Sequence, residues 1–445
     1  MHSSIHIRPS LRFSDLTVIV ISLVIGMGIF RTPAEVAEKA GIPSIFFLAW
    51  IVGAVVSMIG ALIFAEIGSR YPHAGGFYKI FSYCYHPAFA FMVNWITVIS
   101  NAASTALVAI MGAEYIAPLI FPELQFDLKV KLITVISVLL LFAVNLFGIK
   151  VSARFLKVLM SVKIVLLLFI ILSVFFVAEA PDSIMKNAAP LETSDWWSAF
   201  SLCFIPVFFT YGGYQQTMNF GGDISHAKRV MPRAIITGMS IVLIIYLLVN
   251  FAYYHVLGFE TLKTSRTLAS DMMSLLMGDT AHRLVSVIMF FSVLAYVNVS
   301  IMSNPRVYYA MAEDRVMPKL FMRVNPKTQV QQFAVTLFVL FILLTLFFTQ
   351  SFTSLLKFVM FFDSIGFMSA AAAIFIFRRR AEQSGEQIEI FKMRGYPWLP
   401  LLFILVYAMI TVTLFVHEPL SALIGFGLFL VGFPLYYLLK RSIQR

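Results

Sequence analysis

The sequence predicts an all-α membrane protein of twelve transmembrane helices, with the first and sixth discontinuous. Three observations carry this. Of 445 residues, 60% are hydrophobic and only 12% charged, against about half and a quarter in an ordinary soluble domain; the mean hydropathy is +0.89. Apolar runs of about 20 residues, the length that crosses a bilayer core, recur along the whole chain. Glycine-rich breaks fall inside two of those runs. This composition excludes soluble enzymes and disordered or fibrous chains. The 45 Phe suit a lipid-facing surface. Cys84 and Cys203 both lie in apolar stretches, so a disulfide scaffold is excluded, and no metal-ligand spacing is present.

The runs are 16–39 (interrupted), 44–68, 87–118, 132–149, 155–178, 196–222 (interrupted), 232–256, 282–311, 332–350, 353–377, 398–416 and 420–439. The connecting stretches are short, which leaves no room for a separate soluble domain. A polar start, Met1 to Asp15, precedes the first run, and no small-residue cleavage site follows it, so a cleavable signal peptide is not expected. With a cytoplasmic N-terminus, roughly 23 Lys and Arg fall on the cytoplasmic side and about 8 opposite, a strong positive-inside bias. Miscounting one helix would break that alternation. An even number of spans puts both the 1–15 and 440–445 tails in the cytoplasm, and the expected location is the cell membrane. The net charge of +11 is thereby explained without a nucleic-acid partner.

The breaks are Val24-Ile25-Gly26-Met27-Gly28-Ile29-Phe30, followed by Arg31-Thr32-Pro33, and Thr210-Tyr211-Gly212-Gly213-Tyr214, with Gly221-Gly222-Asp223 beyond. Either alone is compatible with close helix packing, because glycine is frequent in membrane helices. Together they occupy equivalent places five helices apart. Five is odd, so the second set of helices enters from the opposite side. Interrupted helices at matching places in two halves point to a transport site. N–H groups freed at a half-helix start favour a carboxylate, and freed carbonyls favour an ammonium. One zwitterionic amino-acid backbone satisfies both.

Several motifs in order along nearly the whole chain resemble the amino acid–polyamine–organocation superfamily, most nearly its L-type amino acid transporter branch and related bacterial permeases. Ile25-Gly26-Met27-Gly28-Ile29-Phe30 resembles I-G-S-G-I-F. Ala65-Glu66-Ile67-Gly68 with Pro72-His73-Ala74-Gly75-Gly76 resembles A-E-L-G…P-K-S-G-G. Tyr211-Gly212-Gly213-Tyr214 through Gly222-Asp223-Ile224 to Met231-Pro232-Arg233-Ala234 is similar to Y-G-G-W…G-E-V…L-P-R-A. Asn304-Pro305-Arg306-Val307-Tyr308-Tyr309 with Arg315-Val316-Met317-Pro318 resembles S-x-R-L-x-Y…G-x-L-P. The resemblance implies a five-plus-five inverted repeat, 16–178 and 196–377, plus two C-terminal helices at 398–439. It implies sodium-independent alternating access for amino acids, with exchange favoured over proton symport, and no cofactor. It places the substrate carboxylate on N–H groups around Met27, Gly28 and Ile29, beside Gly26, and the amine near the carbonyls of Ile25, Phe209 and Thr210, beside Gly212 and Gly213. Phe209 would close the pocket toward the outside. Met27 stands where the family has Ser, Tyr214 for Trp and Asp223 for Glu, so selectivity transfers least. The animal branch bonds a heavy chain through a Cys between the third and fourth helices; segment 119–131 has none, and no disulfide-linked partner is expected.

Ionisable groups inside spans are costly and mark function. Lys163 in the fifth run either snorkels or, by the resemblance, replaces a bound sodium ion; it lies about two turns from the cytoplasmic end, which favours the second. Asp363 in the tenth run is an outer gate with Arg31, a protonated structural hydrogen-bonder or a group that reads the substrate side chain. Lys357, six residues away, is off its helical face. Glu66 and Glu114, near span ends, read as structural partners, and Tyr308 and Tyr309 as packing aromatics. No nucleophile–base pair suggests an enzyme. Polyamine or amine antiport and a transporter-like sensor stay open; the first would want acidic groups in the cavity, the second an added cytoplasmic domain.

Overall fold

The computed structural model describes residues 10–73, 75–120, 124–176, 193–265, 267–348, 352–384, 391–417 and 419–444, and over these the chain is helical, with one isolated bridge between Leu11 and Ile224. Residues 1–9 of the expected tail, part of segment 119–131 and the side chain of Lys357 lie outside the described residues.

The first run forms α1 (Phe13–Val24) and α2 (Gly28–Ala40), separated by the break. Next come α3 (Pro43–Arg70), a short α4 (Gly76–Cys84) and α5 (Pro87–Ile116). Proline at the first turn of α3 and α5 leaves an N–H absent where no helical partner exists, and the His86 ring accepts from Ala88 N at 3.2 Å to cap α5. α6 (Phe126–Leu146) and α7 (Ile149–Leu172) follow. The second interrupted run is α8 (Thr193–Tyr211) and a 3-10 helix, Tyr214–Asp223. Then come α9 (Ala227–Leu257), the short α10 (Phe259–Thr264) and α11 (Leu268–Met277), α12 (Asp279–Ser303) with its extension α13 (Pro305–Glu313), α14 (Gln332–Phe348), α15 (Phe352–Ser384), α16 (Trp398–His417) and α17 (Pro419–Gln444).

Over the described residues, each of the twelve apolar runs is mainly helical. Eight helical segments among the described residues are long and apolar enough to cross a membrane by themselves: Phe13–Ala40, Pro43–Arg70, Pro87–Leu119, Ile149–Phe176, Ala227–Leu257, Thr280–Glu313, Met360–Gln383 and Trp398–Val416. The other four runs fall short for local reasons that include the second break, which divides α8 from the 3-10 helix, and the 17 residues of α14. The chain is a multi-pass membrane protein.

Packing sorts the helices. α1, α2 and α5 are largely buried inside the protein, whereas α6, α7, α16 and α17 carry exposed Leu140, Val165, Leu405 and Leu438. In a bilayer such residues face acyl chains, and burying the polar breaks at the centre keeps their loosened backbone away from lipid. α3 runs against α9, α5 against α12, and α2 against α8. At one end, the buried Glu66 carboxylate accepts from Arg70, from both Nε and Nη2 of Arg378 (2.9 and 2.7 Å) and from Met393 N (2.8 Å), the structural role its place suggested. Nearby, Arg306 Nε donates to Asp223 at 2.6 Å, its guanidinium lying over the Phe220 ring. Ser10 N and Leu11 N both donate to Asp223 O. Ser10 and Leu11 are thus fastened to the end of the second interrupted run.

Candidate functional site

The first break begins where α1 ends at Val24. Gly26 N turns back to Val24 O at 2.8 Å, and Ile25 leaves the helical region. Two released carbonyls are taken by side chains of other helices. Tyr246 of α9 donates to Val24 O at 3.0 Å, and Lys163 of α7 donates to Ile25 O at 2.5 Å. Lys163 is wholly buried. The Lys163 amine therefore sits on the backbone of the break, with its donors at the place where a loosened helix exposes acceptors. At the other side of the break the N-cap Met27 offers α2 no side-chain cap, and among the described residues the first-turn N–H groups at Gly28 and Ile29 have no helical or side-chain acceptor.

The second break lies directly against the first. Gly213 has φ +109°, and a Cβ there would sit 2.2 Å from Leu23 O; only glycine accepts both the backbone conformation and the approach. A Cβ on Gly28 would sit 2.8 Å from Thr210 Cγ2. The Thr32 and Thr210 hydroxyls, 2.5 Å apart, then tie α2 to α8. Gly212 N closes on Phe209 O at 3.2 Å, and Gly213 N donates to Gln215 Oε1 at 2.8 Å.

Between the two breaks is a small cavity walled by both. Gly26, Met27, Gly28, Phe209, Thr210, Gly212, Gly213 and Asp363 all line it. Ile25 and Ile29 do not; their side chains are buried behind the wall, and Ile25 contributes the carbonyl held by Lys163. The Arg31 guanidinium is 3.7 Å from Glu114 at the end of α5, and among the described residues no ion pair joins Arg31 to Asp363.

The sequence reading missed the wall supplied by α5 and α12. Asn101, Ser104 and Val108 line the cavity from α5 and Tyr296 from α12, joined by Met360 and Phe367 on the Asp363 face of α15. A signal was present. Asn101, Ser104 and Val108 fall at i, i+3 and i+7, so a polar face in an otherwise apolar span points inward. Ser104 and Tyr296 hydroxyls lie 3.4 Å apart, and the Tyr296 ring covers Gly26.

Two interrupted helices packed against each other around a cavity mark the chain as a membrane transporter. The sequence model of the amino acid permease family matches residues 11–438. The chain is 29% identical over 439 residues to the serine/threonine exchanger SteT of Bacillus subtilis, covering 95% of each. It is 26% identical to the human cystine/glutamate transporter, over 94% of this chain and 83% of that one. It is 24% identical to the rat large neutral amino acids transporter small subunit 2, over 94% and 78%. The chain belongs to the amino acid permease family, within the amino acid–polyamine–organocation superfamily.

Proposed function

We propose that the chain is a sodium-independent amino-acid exchanger that works by alternating access. It would cross the cell membrane twelve times with both termini cytoplasmic. The observation that carries this reading is Lys163 on the Ile25 carbonyl, beside a cavity walled by both breaks. A protein ammonium at that backbone supplies the charge that a bound cation would otherwise bring. The substrate carboxylate takes the N–H groups of Met27, Gly28 and Ile29, where the α2 dipole favours an anion. Its amine takes the carbonyls around Phe209 and Thr210 at the end of α8, where cations are favoured. Phe209 is the residue assigned to opening and closing the outer side. The helix pairing is compatible with a repeat of 16–178 in 196–377: the first span packs on the sixth (α2 with α8), α3 on α9 and α5 on α12. Exchange draws support from the printed activity of the Bacillus subtilis relative. The apolar outer helices take lipid. No disulfide-linked heavy chain is part of this reading, since 119–131 lacks Cys.

The test is uptake of labelled amino acids into proteoliposomes at equal pH without sodium, with a mixed amino-acid preload against empty vesicles. Strong stimulation by preload is expected. Uptake into empty vesicles that grows with an inward proton gradient would replace exchange by proton symport. No uptake of any amino acid in either arm would refute the substrate class.

A further inference from the structure

The polar side chains lining the cavity are, with one exception, already satisfied within the protein. Asn101 Nδ2 donates to Asn304 Oδ1 at 2.6 Å, and its Oδ1 accepts from Gln216 Nε2 at 3.4 Å. The Thr210 hydroxyl is bonded to Thr32 and to Pro206 O at 2.7 Å. Ser104 and Tyr296 share a contact at 3.4 Å. The exception is Asp363. Among the described residues its carboxylate has no hydrogen bond or ion pair, and no Lys or Arg lines the cavity. The Lys163 ammonium is spent on Ile25 O behind the wall.

We infer that Asp363 reads the substrate side chain, and that the cavity takes an amino acid carrying a second, side-chain cation. This rests on the amino-acid transport reading above. The backbone zwitterion of any amino acid is matched by the two breaks and brings no net charge. A neutral substrate would therefore leave the carboxylate uncompensated once the site closes over it, which is the costly way to bury a charge. A side-chain ammonium or guanidinium cancels it and donates to its oxygens, the stronger class of hydrogen bond. Asp363 sits on α15, between Met360 and Phe367 one turn to either side. Those apolar neighbours suit the methylene stem of a basic side chain and confine its charged end to the carboxylate.

The experiment uses the full-length protein in preloaded proteoliposomes. Labelled lysine uptake is competed with unlabelled lysine, ornithine, serine and norleucine, the last having lysine's stem without its charge. Lysine and ornithine are expected to compete at concentrations at least tenfold below norleucine and serine. In Asp363→Asn the lysine-over-norleucine ratio falls at least tenfold, and in Asp363→Glu the preference is kept. Equal competition by norleucine and lysine in the wild type overturns the inference while leaving amino-acid transport standing; a carboxyl that holds its own proton would give that result. An unchanged ratio in Asp363→Asn overturns it as well. Should that variant fail to fold, judged by size-exclusion elution, the wild-type competition series decides alone. No uptake of any amino acid, basic or neutral, refutes the transport reading itself, and the inference with it.

Discussion

Replacing Lys163 by Met tests the centre of the mechanism. The Lys163 ammonium is fully buried and donates to Ile25 O at 2.5 Å. A hydrogen bond from a charged donor contributes about 1.5–3 kcal/mol. At about 1.4 kcal/mol per factor of ten, its loss from the transport-competent state is roughly a 10- to 140-fold effect. Methionine keeps the length and flexibility of the stem, so packing against α1 is preserved while the charge and donors go. Stability should change less than transport. Removing a buried ammonium also removes its desolvation cost, which partly offsets the lost hydrogen bond. The assay is the initial rate of amino-acid exchange in proteoliposomes, run in sodium and in choline, beside the melting temperature in detergent. Wild-type rates should be equal in the two salts, and Lys163→Met should lose at least about tenfold in rate with a smaller relative loss in stability. A variant exchanging within about threefold of wild type would refute the reasoning; so would a wild type that needs sodium.

Two further outcomes follow from the geometry. Gly213→Ala forces a Cβ to 2.2 Å from Leu23 O at φ +109°, so the breaks cannot interlock; transport should fall more than about tenfold and the melting temperature should drop. Gly427→Ala, where nothing lies within 4 Å of the added atom, should leave both near wild type, and equal effects of the two substitutions would contradict the account. At the short helix α4, burial alone would pull the Lys79 ammonium down, but Asp314 at 2.6 Å and Glu313 at 3.0 Å outweigh it and hold its pKa above the ordinary 10.5. A pKa raised in the folded state contributes stability that is complete below the unfolded value and is lost as pH rises through the folded one. The melting difference between wild type and Lys79→Met should therefore be flat across neutral pH and shrink only above 10.5; a difference that fades near neutrality would show the ion cluster to be unimportant.

Much of this protein was legible along the chain because a bilayer leaves few options. Over the described residues each apolar run of bilayer length is mainly helix, since unpaired backbone in hydrocarbon is too costly. The breaks were legible for the complementary reason. Glycine destabilises a helix interior by about 1 kcal/mol, and the clusters at 26–28 and 212–213 stand where α1 passes to α2 and α8 ends. The wall from α5 was harder to see. Asn101 and Ser104 are polar residues in a span rich in Ser, Asn and Thr, and several of those face other helices: Thr105 bonds Ser300, and Asn94 its own backbone. Periodicity marks an inward face without distinguishing the cavity from a helix contact.

Pairing was beyond the sequence altogether. Arg31 and Asp363 are the sort of opposite charges that a linear reading joins, yet Arg31 lies by Glu114 and Asp363 faces the cavity without an ion pair among the described residues. Lys163 is 138 positions from the carbonyl it holds. Hydrophobicity and backbone propensity are local along the chain and so settle which segments are helical, which are interrupted and which face lipid. Partners across a bundle depend on how helices distant in sequence approach one another. Here that approach is set by the close contacts Gly28–Thr210 and Gly213–Leu23, and only the tertiary structure decides it.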